Sequence, residues 1–232
     1  MITYERIPYS SKDASEQEIS YHNYHRDRMK FAFDLINKYK GDVNVEVGAW
    51  TLTYWMRYNK IPVHTLGFPE QRLIDMCGEN DKDYHYNLVN IRKIDAPIKD
   101  ADLIICCEVI EHLAFDMETI LKFLGSMLKS GGRLIIQTPN GAALKKRLPL
   151  LFGINAYQYI QDYPNGEYGH LREPTLDELI GFAINSGFTV KESYCKNYFN
   201  YSHSKKARLY ELFGMLLPKR MHDGITLVLV KK

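Results

Sequence analysis

Between Asp102 and Asn140 the chain spells a short apolar run, an amphipathic segment and a second apolar run: DLIICCEVIEHL, then MLKSGGRLIIQTPN. Apolar runs as short as Leu103 to Cys107, bounded by polar residues, suit a strand buried on both faces. Strand, helix and strand in this order close as a parallel pair with a right-handed crossover. Open α/β sheets bind their ligands beyond the carboxyl ends of such strands. Glu108, Glu111 and His112 follow the first run directly, so two carboxylates and a histidine stand at that edge.

The same alternation extends in both directions. Residues 1 to 16 read as an arm, and Glu16 to Lys40 carries Tyr24, Met29, Phe31, Phe33, Leu35 and Ile36 at helical spacing before the stop signal Gly41. Strands are expected at Val43 to Val47, Pro62 to Leu66, Tyr84 to Val89, Leu103 to Cys107 and Arg133 to Thr138. Helices are expected at Leu52 to Tyr58, Glu70 to Cys77 and Met117 to Leu128, with a turn at Ser130-Gly131-Gly132. After Asn140 the rhythm changes. Leu144 to Phe152 is basic and apolar, and Asn155 to Gly169 reads as a loop rich in Tyr, Gly, Pro and Asn. Thr175 and Glu178 form a capping box for a helix to Asn185. A strand at Phe188 to Tyr194, an amphipathic helix at Ser204 to Leu217 and a strand at Ile225 to Val230 follow. A length of 232 residues suits one domain, with 1–40 as arm and lid helix, 141–174 as a substrate-side insertion and 204–217 as an additional helix.

Composition removes several function classes. The net charge is +2 with no basic tail, which argues against a nucleic-acid partner. No apolar run approaches the roughly 18 residues that a membrane span needs. The first residues, MITYERIPYSSKDASEQE, lack a signal-peptide apolar region, so a cytoplasmic protein is expected. Cys106 and Cys107 sit inside a buried strand, Cys77 and Cys195 lie far away, and no CxxC spacing occurs; all four read as reduced thiols.

The order of elements, together with DLIICCEVIEHL, MLKSGGRLIIQTPN and GHLREPTLDELIGFAINSGF, resembles the class I S-adenosylmethionine-dependent methyltransferases over about residues 43 to 195. That resemblance implies a Rossmann-like α/β fold: a seven-stranded sheet with helices on both faces and the last strand inserted antiparallel. Ile225 to Val230 is expected as an outer strand of the closing hairpin. The family's first motif is an acid followed by Gly-x-Gly-x-Gly. Here the stretch is Glu46-Val47-Gly48-Ala49-Trp50-Thr51-Leu52, so Glu46 and Gly48 match while Trp50 and Leu52 replace glycines. The family also ends its second strand with an acid for the ribose hydroxyls; here Leu66-Gly67-Phe68-Pro69 occupies that turn, and the nearest acid is Glu70. Implied cofactor-binding residues are Glu46, Gly48, Ala49, Trp50, Phe68, Asn87, Leu88 and Glu108.

Glu108, Glu111 and His112 stand at i, i+3 and i+4, a spacing that shares one face of a helical turn. Two carboxylates and an imidazole suit Mg²⁺ or Mn²⁺, and His170, just before LREPT, offers a fourth ligand. The cluster is similar to the E-x-x-E-H of small-RNA 2′-O-methyltransferases and of ubiquinone-pathway O-methyltransferases. Carried over, the metal ligands would be Glu108, Glu111, His112 and His170, and the catalytic residues His170, His112 and Glu111. Without a metal, His170 or His112 serves as general base. Tyr21, His22, Tyr24 and His25 either lid the site or form the solvated face of an amphipathic helix, and Lys145-Lys146-Arg147 either attract a phosphorylated substrate or form a solvated helix face. Tyr157, Tyr159 and Tyr163 either line the pocket or pack the loop. The function this implies is O-methylation of a small polar, sugar-like or phosphorylated metabolite, by a monomer or a homodimer. N-methylation, RNA ribose methylation and a non-catalytic scaffold are the alternatives.

Overall fold

The computed structural model describes residues 16–157, 160, 169–198 and 217–232. The elements that build the sheet's first half are α1 (Glu16–Tyr39), β1 (Asn44–Val47), α2 (Thr51–Tyr58), β2 (His64–Gly67), α3 (Gln71–Ile74) and β3 (Asp83–His85). The second half comprises β4 (Ala101–Cys107), α4 (Met117–Met127), β5 (Leu128–Pro139), α5 (Leu144–Leu151), α6 (Leu176–Asn185), β6 (Phe188–Lys196) and β7 (Gly224–Lys231). The seven strands run in the order β3-β2-β1-β4-β5-β7-β6. The pairs from β3 through β5 are parallel, and β7 is antiparallel to both β5 and β6.

Successive strand residues point to opposite faces, and the central strands are buried over most of their length, with apolar residues pointing to both faces. Ile104, Leu134 and Leu227 therefore meet Leu121 and Leu124 of α4 and Leu179 of α6 on one face. Their neighbours Leu103, Ile105, Ile135 and Val228 meet Phe33 and Ile36 of α1 and Trp55 and Met56 of α2 on the other. The α/β sheet with helices on both faces is thus the one the resemblance implied. Asp116 caps α4 by accepting from Thr119 N at 2.8 Å, and the expected Thr175–Glu178 capping box opens α6.

Several expectations are corrected. Ile225 to Val230 is not an outer strand: β7 lies between β5 and β6, and β6 forms the edge. Periodicity accounts for this. GITLVLVK is buried at its first six positions, whereas FTVKESYCK alternates as an edge strand does. Ser130-Gly131-Gly132 belongs to β5 rather than to a separate turn. The left-handed Gly131 lies in a register shift against β4, and a Cβ on Gly132 would stand 2.9 Å from the Ala101 carbonyl. The third strand stops at His85, because Asn87 caps a 3-10 turn at Leu88–Asn90. Glu70 to Cys77 yields only the single turn of α3, while the basic, apolar segment after Asn140 becomes α5. The arm at residues 1–15, Tyr159, Tyr163 and all of the expected Ser204–Leu217 helix except Leu217 lie outside the described residues. Among the described residues no helix is long and apolar enough to cross a membrane.

Candidate active site

β4 hands the chain to Glu108 in a conformation that few non-glycine residues adopt, φ +55°. The Glu108 amide donates to the Gln137 carbonyl at 2.8 Å, which extends the β4–β5 pairing by one bond. Its carboxylate turns toward Arg28, a buried residue of α1, and forms an ion pair at 3.7 Å. The 3-10 turn at Ile110–His112 begins only afterward. Glu108 therefore does not share a helical turn with Glu111 and His112, which corrects the one-face reading; the left-handed residue breaks the spacing.

Glu111 is fully buried. Its Oε2 accepts from Thr138 Oγ1 at 3.1 Å, whereas Oε1 has no hydrogen-bond partner. Burial, and then the nearby Glu108 charge, push its carboxyl well above the usual carboxylate range. The Glu111 carbonyl accepts from Leu171 N at 2.8 Å, and this bond draws in the segment that carries His170. The His112 and His170 rings meet edge to face, with centroids 4.8 Å apart. His170 Nδ1 lies 2.7 Å from Glu173 Oε1, and the other Glu173 oxygen pairs with Lys146. Glu111, His112 and His170 each offer a ligand atom, all within 4.8 Å of one another. Glu108 stands apart from this group. The donor set is one carboxylate and two imidazoles, a mixture that suits Mn²⁺ or a softer divalent ion better than Mg²⁺. The orphaned Glu111 oxygen fits such a group.

A pocket of about 440 Å³ opens over this cluster. Tyr21, Tyr24 and His25 of α1 line it together with Lys145 and Lys146 of α5, whereas His22 packs against Trp55 instead. The start of α5 reverses the usual helix electrostatics. Ala143, a poor cap, precedes it, and Lys145 and Lys146 lie in the first turn, where the helix dipole disfavours cations. Burial pulls Lys146 down to about 8 and lowers Lys145 as well. Asp223, itself fully buried, lies 3.9 Å from Lys145. Burial, and then the neighbouring His112 and lysines, bring His170 down to about 4, so its ring is neutral at pH 7. His25 falls to about 3 through burial and Arg28, whose Nε donates to His25 Nδ1 at 3.3 Å.

The β1–β2 edge is built differently. Glu46 is buried and turns inward: its carboxylate accepts from Thr53 Oγ1 and from the backbone at Thr53 and Trp50, at the start of α2. Burial raises it to about 7. Gly48 is exposed and left-handed, φ +79°, and a Cβ there would lie 2.7 Å from Val109 Cγ2. Ala49 is half-buried beside it. Trp50 is also half-buried and packs its indole against Tyr21 at 4.8 Å, which ties α2 to α1. Phe68 is 67% exposed at the carboxyl end of β2. Glu70 is held by Arg72, Nε to Oε2 at 2.6 Å. Asn87 accepts from Val89 N at 3.1 Å, with Leu88 half-buried in the same turn. Gly48, Ala49 and Phe68 thus remain as an exposed cradle, whereas Glu46, Trp50 and Asn87 serve the protein's own backbone and packing.

The structure brings together His112, Glu111 and His170 as expected, and adds three residues that the sequence reading did not select: Arg28, Thr138 and Glu173. Thr138 could have been found in TPN, which ends the neighbouring strand. Glu173 could have been found in the LREPT that follows His170.

A family model described as a methyltransferase domain matches residues 25–193. Among solved structures, the chain is similar to a SAM-dependent methyltransferase from Methanosarcina mazei, with 14% identity, 85% of this chain and 96% of that chain covered, and a TM-score of 0.58. It is also similar to the 1,6-didemethyltoxoflavin-N1-methyltransferase of Burkholderia thailandensis, solved with its substrate and S-adenosylhomocysteine, at 15% identity, 97% and 94% coverage and TM-score 0.58. A third likeness is to the geranyl diphosphate C-methyltransferase of Streptomyces coelicolor, solved with Mg²⁺, geranyl diphosphate and S-adenosylhomocysteine, at 11% identity, 88% and 77% coverage and TM-score 0.56. None of the curated proteins matches the chain.

Proposed function

The chain belongs to the methyltransferase-domain family, and on that premise we propose that it methylates a hydroxyl of a small polar metabolite bearing an anionic group, with S-adenosylmethionine as donor. The observation that carries this reading is the pocket in which His112 and His170, gathered with the buried Glu111 behind them, face the same space as Lys145 and Lys146. The donor, when bound, supplies its methyl as an electrophilic sulfonium. Gly48, Ala49 and Phe68 would hold it, the glycine by close backbone approach and the exposed ring by stacking. S-adenosylhomocysteine in two structural neighbours supports that choice.

Without a metal, His170, whose ring is neutral at pH 7, takes the hydroxyl proton at Nε2. Lys145 holds the anionic group by charge. The lid residues Tyr21 and Tyr24 exclude water from the reacting centre. With a divalent ion, Glu111, His112 and His170 would serve as its ligands, and the ion would lower the pKa of the hydroxyl in place of the base.

The test is transfer of tritiated methyl from S-adenosylmethionine to a panel of hydroxy acids, sugar phosphates and their uncharged or amino counterparts, with Mn²⁺, Mg²⁺ or EDTA. Base-stable label on anionic hydroxyl compounds, strongest with Mn²⁺, is the expected result. Label confined to the amines would replace O- with N-methylation, and equal rates with EDTA would remove the metal. A second reading, a scaffold without catalysis, is favoured by the Arg72 side chain that occupies Glu70. Failure of S-adenosylhomocysteine to bind in calorimetry would establish that reading instead.

A further inference from the structure

We infer that Glu173, held by Lys146, decides which ring nitrogen of His170 meets the substrate; the inference rests on His170's role in the proposed function and deepens it. A carboxylate has no proton to offer and only accepts hydrogen bonds. Glu173 Oε1 lies 2.7 Å from His170 Nδ1, so Nδ1 carries the proton and Nε2 keeps its lone pair. A general base and a metal ligand both require that lone pair. The opposite tautomer would present an N–H donor where an acceptor is needed.

The arrangement is built into the fold. The Glu173 and Lys146 side chains are only 4% and 8% exposed and form an ion pair. Gly141 seats the segment: its amide donates to the Pro174 carbonyl at 3.0 Å, and a Cβ there would stand 2.4 Å from the Glu173 carbonyl oxygen. Gly141 comes shortly before α5, so the turn that receives Glu173 also delivers Lys146. Lys146 is thereby committed to the protein's own machinery, which leaves the substrate's anionic group to Lys145. Glu173 and Lys146 are positioning residues, acting through His170.

The experiment is nitrogen-15 NMR of histidine-labelled full-length protein at neutral pH, without metal, cofactor or substrate. His170→Asn identifies the His170 resonances. The wild type is expected to show Nδ1–H and a bare Nε2. Glu173→Met leaves Lys146 buried without its partner and invites unfolding, so the paired variant Lys146→Met/Glu173→Met is decisive. Replacing both members of a buried ion pair with apolar residues of similar volume is often neutral or stabilising. In that variant, with its melting temperature retained, His170 is expected as a tautomer mixture, and Mn²⁺ affinity, read by electron paramagnetic resonance, should fall about 10- to 100-fold. Nε2–H in the wild type, or unchanged Nδ1–H in the paired variant, overturns the inference. Calorimetry with S-adenosylhomocysteine tests the methyl-transfer reading separately. A wild type that binds none of it loses that reading, while the tautomer result stands independently.

Discussion

The two halves of the sheet's carboxyl edge treat buried polar groups in opposite ways. Over β1, β2 and β3 the polar side chains are spent on the protein itself: Glu46 steadies the start of α2, Glu70 is held by Arg72, and Asn87 caps its own turn. Over β4 and β5 the buried carboxylates and imidazoles face one another and a pocket, and Glu111 Oε1 has no hydrogen-bond partner. Substitutions at the first edge should act on folding, and those at the second on activity.

The largest effect that would break this contrast is at His170. His170→Ala should cut methyl transfer by about 100- to 10,000-fold, the usual range for a general acid or base, while the melting temperature hardly moves. A parallel loss of both would make His170 a structural residue. At the amino-terminal ends of β2 and β3, away from both halves, Arg57 is fully buried between Asp81 and Asp83, at 3.4 and 2.6 Å. Arg57→Met leaves those carboxylates without their cation and should cost about 3–5 kcal/mol in urea unfolding, with cofactor affinity per folded molecule retained.

Glu46 sharpens the same point through pH. Its carboxyl, ordinarily near 4.5, sits at about 7 because of burial, so the folded state holds this proton more tightly than the unfolded chain does. Its stabilising contribution is complete below 4.5 and is lost as the pH rises through 7. A shift of that size is worth on the order of 3 kcal/mol. Glu46→Gln should flatten the decline in unfolding free energy between those pH values; an unchanged slope would assign the decline to other groups. The smallest effect is at Phe68, which is exposed and contributes little to packing. Phe68→Ala should weaken S-adenosylhomocysteine binding by about 1 kcal/mol, the low end for an aromatic stacked on a base, with no change in melting temperature. Unaltered affinity would remove Phe68 from the cradle.

The sheet was legible because its signals are local. Continuous apolar runs such as LIICC and RLIIQT mark strands covered on both faces, and the Thr175–Glu178 box marks where α6 begins. The same rule, applied to GITLVLVK against FTVKESYCK, distinguishes the inserted strand from the edge strand, which the placement taken from the resemblance does not. Around Glu108 local reasoning fails for a definite cause. Spacing predicts a shared face only if the backbone is helical throughout, and Glu108 is left-handed.

By itself, then, the sequence determined the α/β sheet, the position of Glu108, Glu111 and His112 at the end of β4, and the departure from the glycine motif at Trp50. Each of these depends on residues adjacent in the chain. Only the tertiary structure decided that Glu108 faces Arg28, that His170 reaches His112, and that Glu173 and Lys146 stand behind it. Those contacts join segments from α1, the end of β4, the start of α5 and the turn before α6. Such segments meet only when the sheet has closed and the Glu111 carbonyl has bound Leu171, and no local pattern of residues encodes that meeting.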